Sequence, residues 1–317
     1  MRALRILLVV NAFASSVTAR NTVVVHRALS QGHEVEMVET NRRGHATRFA
    51  QDAARRNLDL VIGFGGDGTL NEVATGVAGT STSLGVLPGG STNVFARTLG
   101  MVNDPVRAVV QLVDGIDADR TEAIGLGNVN GRYFCFHTGV GYDAAVVDQV
   151  EHHASMKRWL GHPLFIYASL KTWIAGYDRT APHFSVSGSS QAFGDDDFRV
   201  DDGYFTIVLN TNPYTYLGNR PLDLSPAATL DRGLVAVTFR TMNVTAILGS
   251  LAGALRGGGV KPSAHLDVHT DLRRITISHN VPFPYQLDGD FLGTTHSLQF
   301  HHVPNAVRIV RPGPPPP

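Results

Sequence analysis

Cysteine is almost missing from this chain. Cys135 is the only one in 317 residues, so no internal disulfide can form and a reducing compartment is permitted. It sits in an apolar run and reads as core. Long apolar runs are missing too: none approaches the ~18–20 residues of a membrane span. Charge of one sign is not in excess, since Lys+Arg and Asp+Glu are both 27. That balance gives no push toward nucleic acid. A Walker A lysine pattern is absent, so any phosphate cradle must rely on backbone amides and hydroxyls. The N-terminus has Arg2 and Arg5, then Ile6 to Val10. That core is short for a signal peptide's ~7–15 apolar residues, and it reads as the first strand of a sheet in the mature protein.

Glycine, by contrast, is concentrated where it matters. Leu58 to Phe64 is an apolar run that reads as a buried strand, and Gly65-Gly66-Asp67-Gly68-Thr69-Leu70-Asn71-Glu72 follows it. A glycine-rich turn from strand to helix lets backbone N–H groups approach an anion, and the helix start adds partial positive charge. Thr69 and Glu72 fit a capping box, which predicts a helix starting at Thr69 and running to Val77. Asp67 is the odd member. A carboxylate beside phosphates repels them unless a cation intervenes, so the pattern suggests a metal–nucleotide site, most simply Mg-ATP. A tight turn with a solvated Asp is the alternative. A second loop of the same kind, Pro88-Gly89-Gly90-Ser91-Thr92-Asn93, follows the short strand Leu84 to Leu87. Two such turns would lie side by side at the carboxyl ends of neighbouring parallel strands, where open α/β sheets bind ligands.

Along the chain, residues 1–118 alternate strand and helix signals and predict a parallel sheet covered by helices. From 119 to 299 most apolar runs read as strands, with Asn130-Gly131 a hairpin signal and helices expected at Leu164 to Ala175 and Val244 to Leu255. The expected fold is therefore a three-layer α/β domain followed by an antiparallel β-sandwich. The charge run Asp195-Asp196-Asp197 reads as a loop, and residues 312–317 as a disordered tail. Of the fourteen histidines, His152-His153 and His301-His302 are adjacent pairs whose side chains diverge, so zinc chemistry is not expected.

The two loops together resemble the diacylglycerol kinase catalytic family, lipid kinases related to sphingosine and ceramide kinases. Asn11 stands where the family has an Asn-Pro turn, and Thr40 ends the second strand. His137-Thr138-Gly139-Val140-Gly141-Tyr142-Asp143-Ala144 resembles a mid-chain glycine motif, and Leu287-Asp288-Gly289-Asp290 stands at the family's Asp-Gly-Glu. The resemblance runs in order over nearly the whole chain. It implies an ATP-binding domain over 1–118, to which residues 300–311 return, and a lipid-substrate domain over 119–299. It also implies transfer of the ATP γ-phosphate, with Mg2+, to a lipid hydroxyl, diacylglycerol first. Asn11, Thr40, Gly65, Gly66, Asp67, Gly68, Thr69, Asn71 and Ser91 would hold the nucleotide. Asp67 would hold the metal directly or through water, and Asp290 would be the general base. A cytoplasmic enzyme touching the inner membrane surface transiently is expected, with no nucleic-acid partner and a homodimer left open.

Three departures qualify the resemblance. Asp290 is one methylene shorter than the family's Glu, and Asp288 is the alternative base or a structural member of the turn. In Leu230-Asp231-Arg232-Gly233-Leu234 the family's metal-holding Asp is replaced by Arg232, which cannot ligate a cation. No second Mg2+ is expected there, and Arg232 is expected to pair with nearby acids. Ala12 replaces the turn Pro. Met156 to Leu160 combines basic and aromatic residues suited to a bilayer interface. A sphingoid-base or ceramide kinase, a nucleotide kinase such as one acting on NAD, and a catalytically weak nucleotide- or lipid-binding protein are the competing readings.

Overall fold

The computed structural model describes residues 2–152, 177–178 and 180–316. The chain forms two compact units, Met1–Leu126 with Asn305–Pro317, and Gly127–Pro304.

The first unit is built on a parallel sheet. β1 (Arg5–Val10) pairs with β2 (Glu34–Glu39) on one side and β3 (Leu60–Gly65) on the other, and β3 pairs with β4 (Ser83–Pro88). Ile309, near the end of β16 (Asp290–Val310), pairs with Leu84 in parallel. β3 is buried at every position, as its unbroken apolar run requires of a strand covered on both faces. Helices α1 (Ala19–Leu29), α2 (His45–Arg55), α3 (Asp67–Val77), α4 (Val94–Thr98) and α5 (Pro105–Asp117) alternate with the strands. Thr18 caps α1, and Asp104 caps α5 with Pro105 at its first turn.

Two local expectations fail here. α3 begins at Asp67, two residues before Thr69, because Gly66 serves as the cap and accepts the N–H groups of Thr69 and Leu70. Glu72 is not the partner of a Thr69 box. Its carboxylate accepts Gly44 N–H at 2.8 Å and Ala46 N–H at 3.0 Å, capping α2 from a neighbouring helix. The C-terminal tail is ordered over residues 312–316. Gly313 N–H donates to Gln111 O and Gln111 Nε2 donates to Gly313 O, which fastens the tail along α5.

The second unit is antiparallel. β7 (His137–Gly141), β10 (Phe205–Leu209), β13 (Leu234–Phe239) and β14 (Leu266–Leu272) run in that spatial order. The long strand β15 (Arg274–Leu287) pairs with β8 (Phe184–Ser189) through its first half and with β7 through Tyr285, Gln286 and Leu287. It thereby links the two layers of the sandwich. Strand alternation feeds two cores. Val208, Leu234 and Ala236 face a cluster with Phe184, Phe283 and Phe300, while Ile207, Leu209, Val235 and Val237 face a second cluster with Leu222 and Leu224. α7 (Val244–Leu255) has the bounds its pattern predicts. β5 (Thr121–Val129) and β6 (Arg132–Phe134) form the hairpin turned by Asn130-Gly131. The acidic run at Asp195 leads into β9 (Phe198–Gly203), which pairs with β8. β11 (Thr215–Leu217) and β12 (Arg220–Leu222) form a separate hairpin, and α6 (Tyr142–His152) follows β7 directly. The expected helix at Leu164 to Ala175 and the Met156 to Leu160 stretch lie outside the described residues.

Candidate active site

In the first unit the two glycine loops are packed backbone on backbone. Gly89 N–H donates to Gly65 O at 2.8 Å. A Cβ on Gly89 would stand 2.8 Å from Gly65 Cα, and one on Gly90 would stand 2.8 Å from Gly66 Cα. Glycine is thus required at both loops because main chain meets main chain, a reason separate from any anion. Asn93 locks the second loop. It adopts φ 52°, its Oδ1 accepts Gly90 N–H at 2.7 Å, and its Nδ2 donates to Gly90 O at 2.8 Å. Asn is among the few side chains that tolerate that left-handed backbone.

Asp67 ties the loops together. Val94 N–H donates to its Oδ2 at 3.0 Å and Phe95 N–H to its Oδ1 at 2.9 Å, so the carboxylate sits at the start of α4. Burial pushes its pKa up, and the two amides with the nearby Arg97 charge pull it back. Each oxygen keeps a lone pair for a further donor or cation. The N–H groups of Gly66, Asp67 and Gly68, at the open end of α3, have no partner among the described residues. Asn11, just after β1, donates from Nδ2 to Thr69 Oγ1 at 2.9 Å. Asn11, Gly65, Gly66, Asp67, Gly68 and Thr69 are therefore brought together around one loop. Thr40 is buried at the end of β2, its N–H donating to Val10 O. Ser91 is exposed on the second loop, and Asn71 is half-buried on α3.

In the second unit, Asp290 begins β16 at a two-residue hairpin closed by the Leu287–Asp290 pair. Asp288 and Gly289 both have positive φ, 48° and 84°, as a type I′ turn requires. Asp288 is buried and structural. Its Oδ2 accepts Cys135 N–H at 2.6 Å and its Oδ1 accepts the N–H groups of Phe136 and His137, both at 3.0 Å. Asp290 is half-buried at the other end of the turn.

Sequence reasoning missed the polar cluster behind this turn. Gly289 N–H donates to Gln286 Oε1 at 2.8 Å, and Gln286 Nε2 donates to Asp143 Oδ2 at 2.8 Å. Tyr214 Oη donates to Asp143 Oδ1 at 2.5 Å. All three side chains are buried, and burial raises the pKa of Asp143 and carries that of Tyr214 far upward. The His137 ring lies 4.5 Å from Tyr214, and burial drives its pKa down to about 3. The His137 to Ala144 motif was the available signal; alone, it names neither Tyr214 nor Gln286. Arg232 is exposed and forms no salt bridge among the described residues, contrary to the pairing expected of it.

Residues 5–127 match the family model for the diacylglycerol kinase catalytic domain. A diacylglycerol kinase of Bacillus subtilis is 27% identical over 293 residues, covering 91% of this chain and 89% of that protein. One from Staphylococcus haemolyticus is 29% identical over 209 residues, covering 56% of this chain and 58% of the relative. A solved diacylglycerol kinase structure from Bacillus anthracis matches with TM-score 0.70 at 19% identity, covering 98% of both chains. Another structure from the same strain reaches TM-score 0.75 at 21% identity, again over 98% of both. Residues 5–127 are thus similar to the diacylglycerol kinase catalytic domain over the stretch that holds both glycine loops, and these relatives support an enzyme of the kinase class.

Proposed function

We propose that this enzyme transfers the γ-phosphate of ATP to the hydroxyl of a membrane lipid, diacylglycerol being the first candidate. The observation that carries the reading is the Asp67 staple between two glycine loops at the ends of β3 and β4. Open amides at the start of α3 offer donors to a polyphosphate. The relatives named diacylglycerol kinase supply the lipid acceptor. The first unit is read as the nucleotide-binding part and the second as the lipid-substrate part.

The donor set suits Mg2+ carried in with the nucleotide. Asp67 has lone pairs to spare, and no group of three His, Cys, Asp or Glu stands ready as a protein cage among the described residues. When bound, Mg2+ neutralises phosphate charge during transfer. Asp290 Oδ accepts the proton of the attacking hydroxyl, while Asp288 fixes the turn that presents it. Asn11 orients Thr69 Oγ1 toward the loop. No helix among the described residues is long and apolar enough to span a membrane. A lipid acceptor is read as met at the bilayer surface, and the cytoplasmic side is part of this proposal.

The test is transfer of labelled γ-phosphate from ATP with Mg2+ to mixed micelles of diacylglycerol, monoacylglycerol, sphingosine or ceramide, with NAD as a soluble control. Label in diacylglycerol, lost by about 100- to 10,000-fold in Asp290→Asn, supports the reading. Label in sphingosine or ceramide reassigns the acceptor. ATP binding with no labelled product rejects the kinase reading for this panel.

A further inference from the structure

α7 breaks the usual rule for a surface helix. Its twelve residues, Val244–Leu255, include no charged side chain, yet only Ala254 is fully buried. Ile247 and Leu251 pack on the second core of their unit. Val244, Leu248 and Leu255 are 46%, 58% and 45% exposed and form a stripe along the solvent flank of that same apolar face. A surface helix ordinarily turns charged side chains to water, and this one offers only Thr245, Gly249 and Ser250 beside its exposed leucines. β12 joins the same cluster through Leu222, and the β11–β12 hairpin adds Leu217, 42% exposed. Around this patch stand exposed Arg220, Arg256 and Lys261. From Asn243 to Leu266 the chain has no acidic residue. Asp223, the acid of this region, is half-buried and accepts from Asn212 Nδ2 at 3.0 Å.

We propose that the exposed face of α7, with the β11–β12 hairpin, docks on an anionic bilayer. The proposal rests on the lipid-kinase reading for its purpose, and on charge complementarity and the exposed leucine stripe of an uncharged helix for its chemistry. The leucine stripe enters the headgroup–acyl boundary and the three cations meet lipid phosphates. Each Lys or Arg adds about fivefold in affinity at such a surface.

The experiment uses the full chain carrying Leu248→Cys, labelled with an environment-sensitive fluorophore. Cys135 is the only native cysteine and is buried, so the label is selective. Vesicles of phosphatidylcholine mixed with phosphatidylglycerol should shift the emission to the blue, and phosphatidylcholine alone much less. Arg256→Glu with Lys261→Glu should weaken binding to the mixed vesicles by about tenfold or more. Co-sedimentation of unlabelled Leu248→Asp/Leu255→Asp, with circular dichroism to check the fold, should show the same loss. No shift on either vesicle overturns the proposal. A blue emission already present without vesicles overturns it too: dependence on protein concentration would assign the face to a second copy, and independence to another part of this chain. Transfer to a short-chain, water-dispersed diacylglycerol separates the two readings. Docking without any transfer rejects the kinase and keeps the surface, whereas transfer without docking rejects the surface alone.

Discussion

Two acids two positions apart illustrate what a single side chain decides. Asp288 and Asp290 look alike in sequence, but Asp288 accepts three backbone N–H groups. Asp288→Asn keeps the left-handed turn accessible while placing an amide against donors. It should cost about 3 kcal/mol of stability, read as a lower urea midpoint. Asp290→Asn, at the half-buried end of the turn, should lower that midpoint clearly less than Asp288→Asn does and reduce turnover. Equal loss of stability in both variants would assign Asp290 to the scaffold.

At the scale of elements, helix ends are satisfied by neighbours. α2 has no side-chain cap of its own and no acid in its first turn, and Glu72 of α3 supplies both. Glu72→Gln should cost about 1 kcal/mol in unfolding experiments. The glycine loops show the same dependence. Gly90→Ala would drive a Cβ to 2.8 Å from Gly66 Cα, which only a backbone shift can relieve. Nucleotide affinity should fall about tenfold or more if the loops act as one cradle, since small misplacements of a positioned site are costly. Unchanged affinity measured by calorimetry would separate the second loop from the nucleotide.

For the whole molecule, stability against pH sums buried groups of opposite sense. His137 folds as a neutral ring with its pKa lowered to about 3, so its contribution is whole above about 6.5 and is lost as pH falls below that. Between pH 7 and pH 5 this amounts to about 2 kcal/mol. Asp67 and Asp143, raised by burial, act the other way and gain stability on acidification. His137→Phe should therefore be less acid-sensitive than the parent by about that amount, read as the difference in urea midpoints at the two pH values. Identical pH dependence of the two proteins would show that the ring is not held neutral.

Periodicity and turn chemistry made most elements of this protein legible before any coordinates. The apolar run of β3, the Pro105 entry to α5, the Asn130-Gly131 hairpin and the bounds of α7 are local signals, written in neighbouring residues. The glycine loops and the Asp-Gly hairpin are local in the same sense, and they marked the candidate site. Tertiary structure decided what local chemistry cannot encode. Glu72 serves a helix that precedes it by almost thirty residues. Asp67 spends its two oxygens on α4. Asp143 meets Tyr214 and Gln286 across 71 and 143 positions of chain. A carboxylate's partner is set by which backbone or side chain the fold brings within hydrogen-bond distance, and that proximity exists only once distant strands have paired.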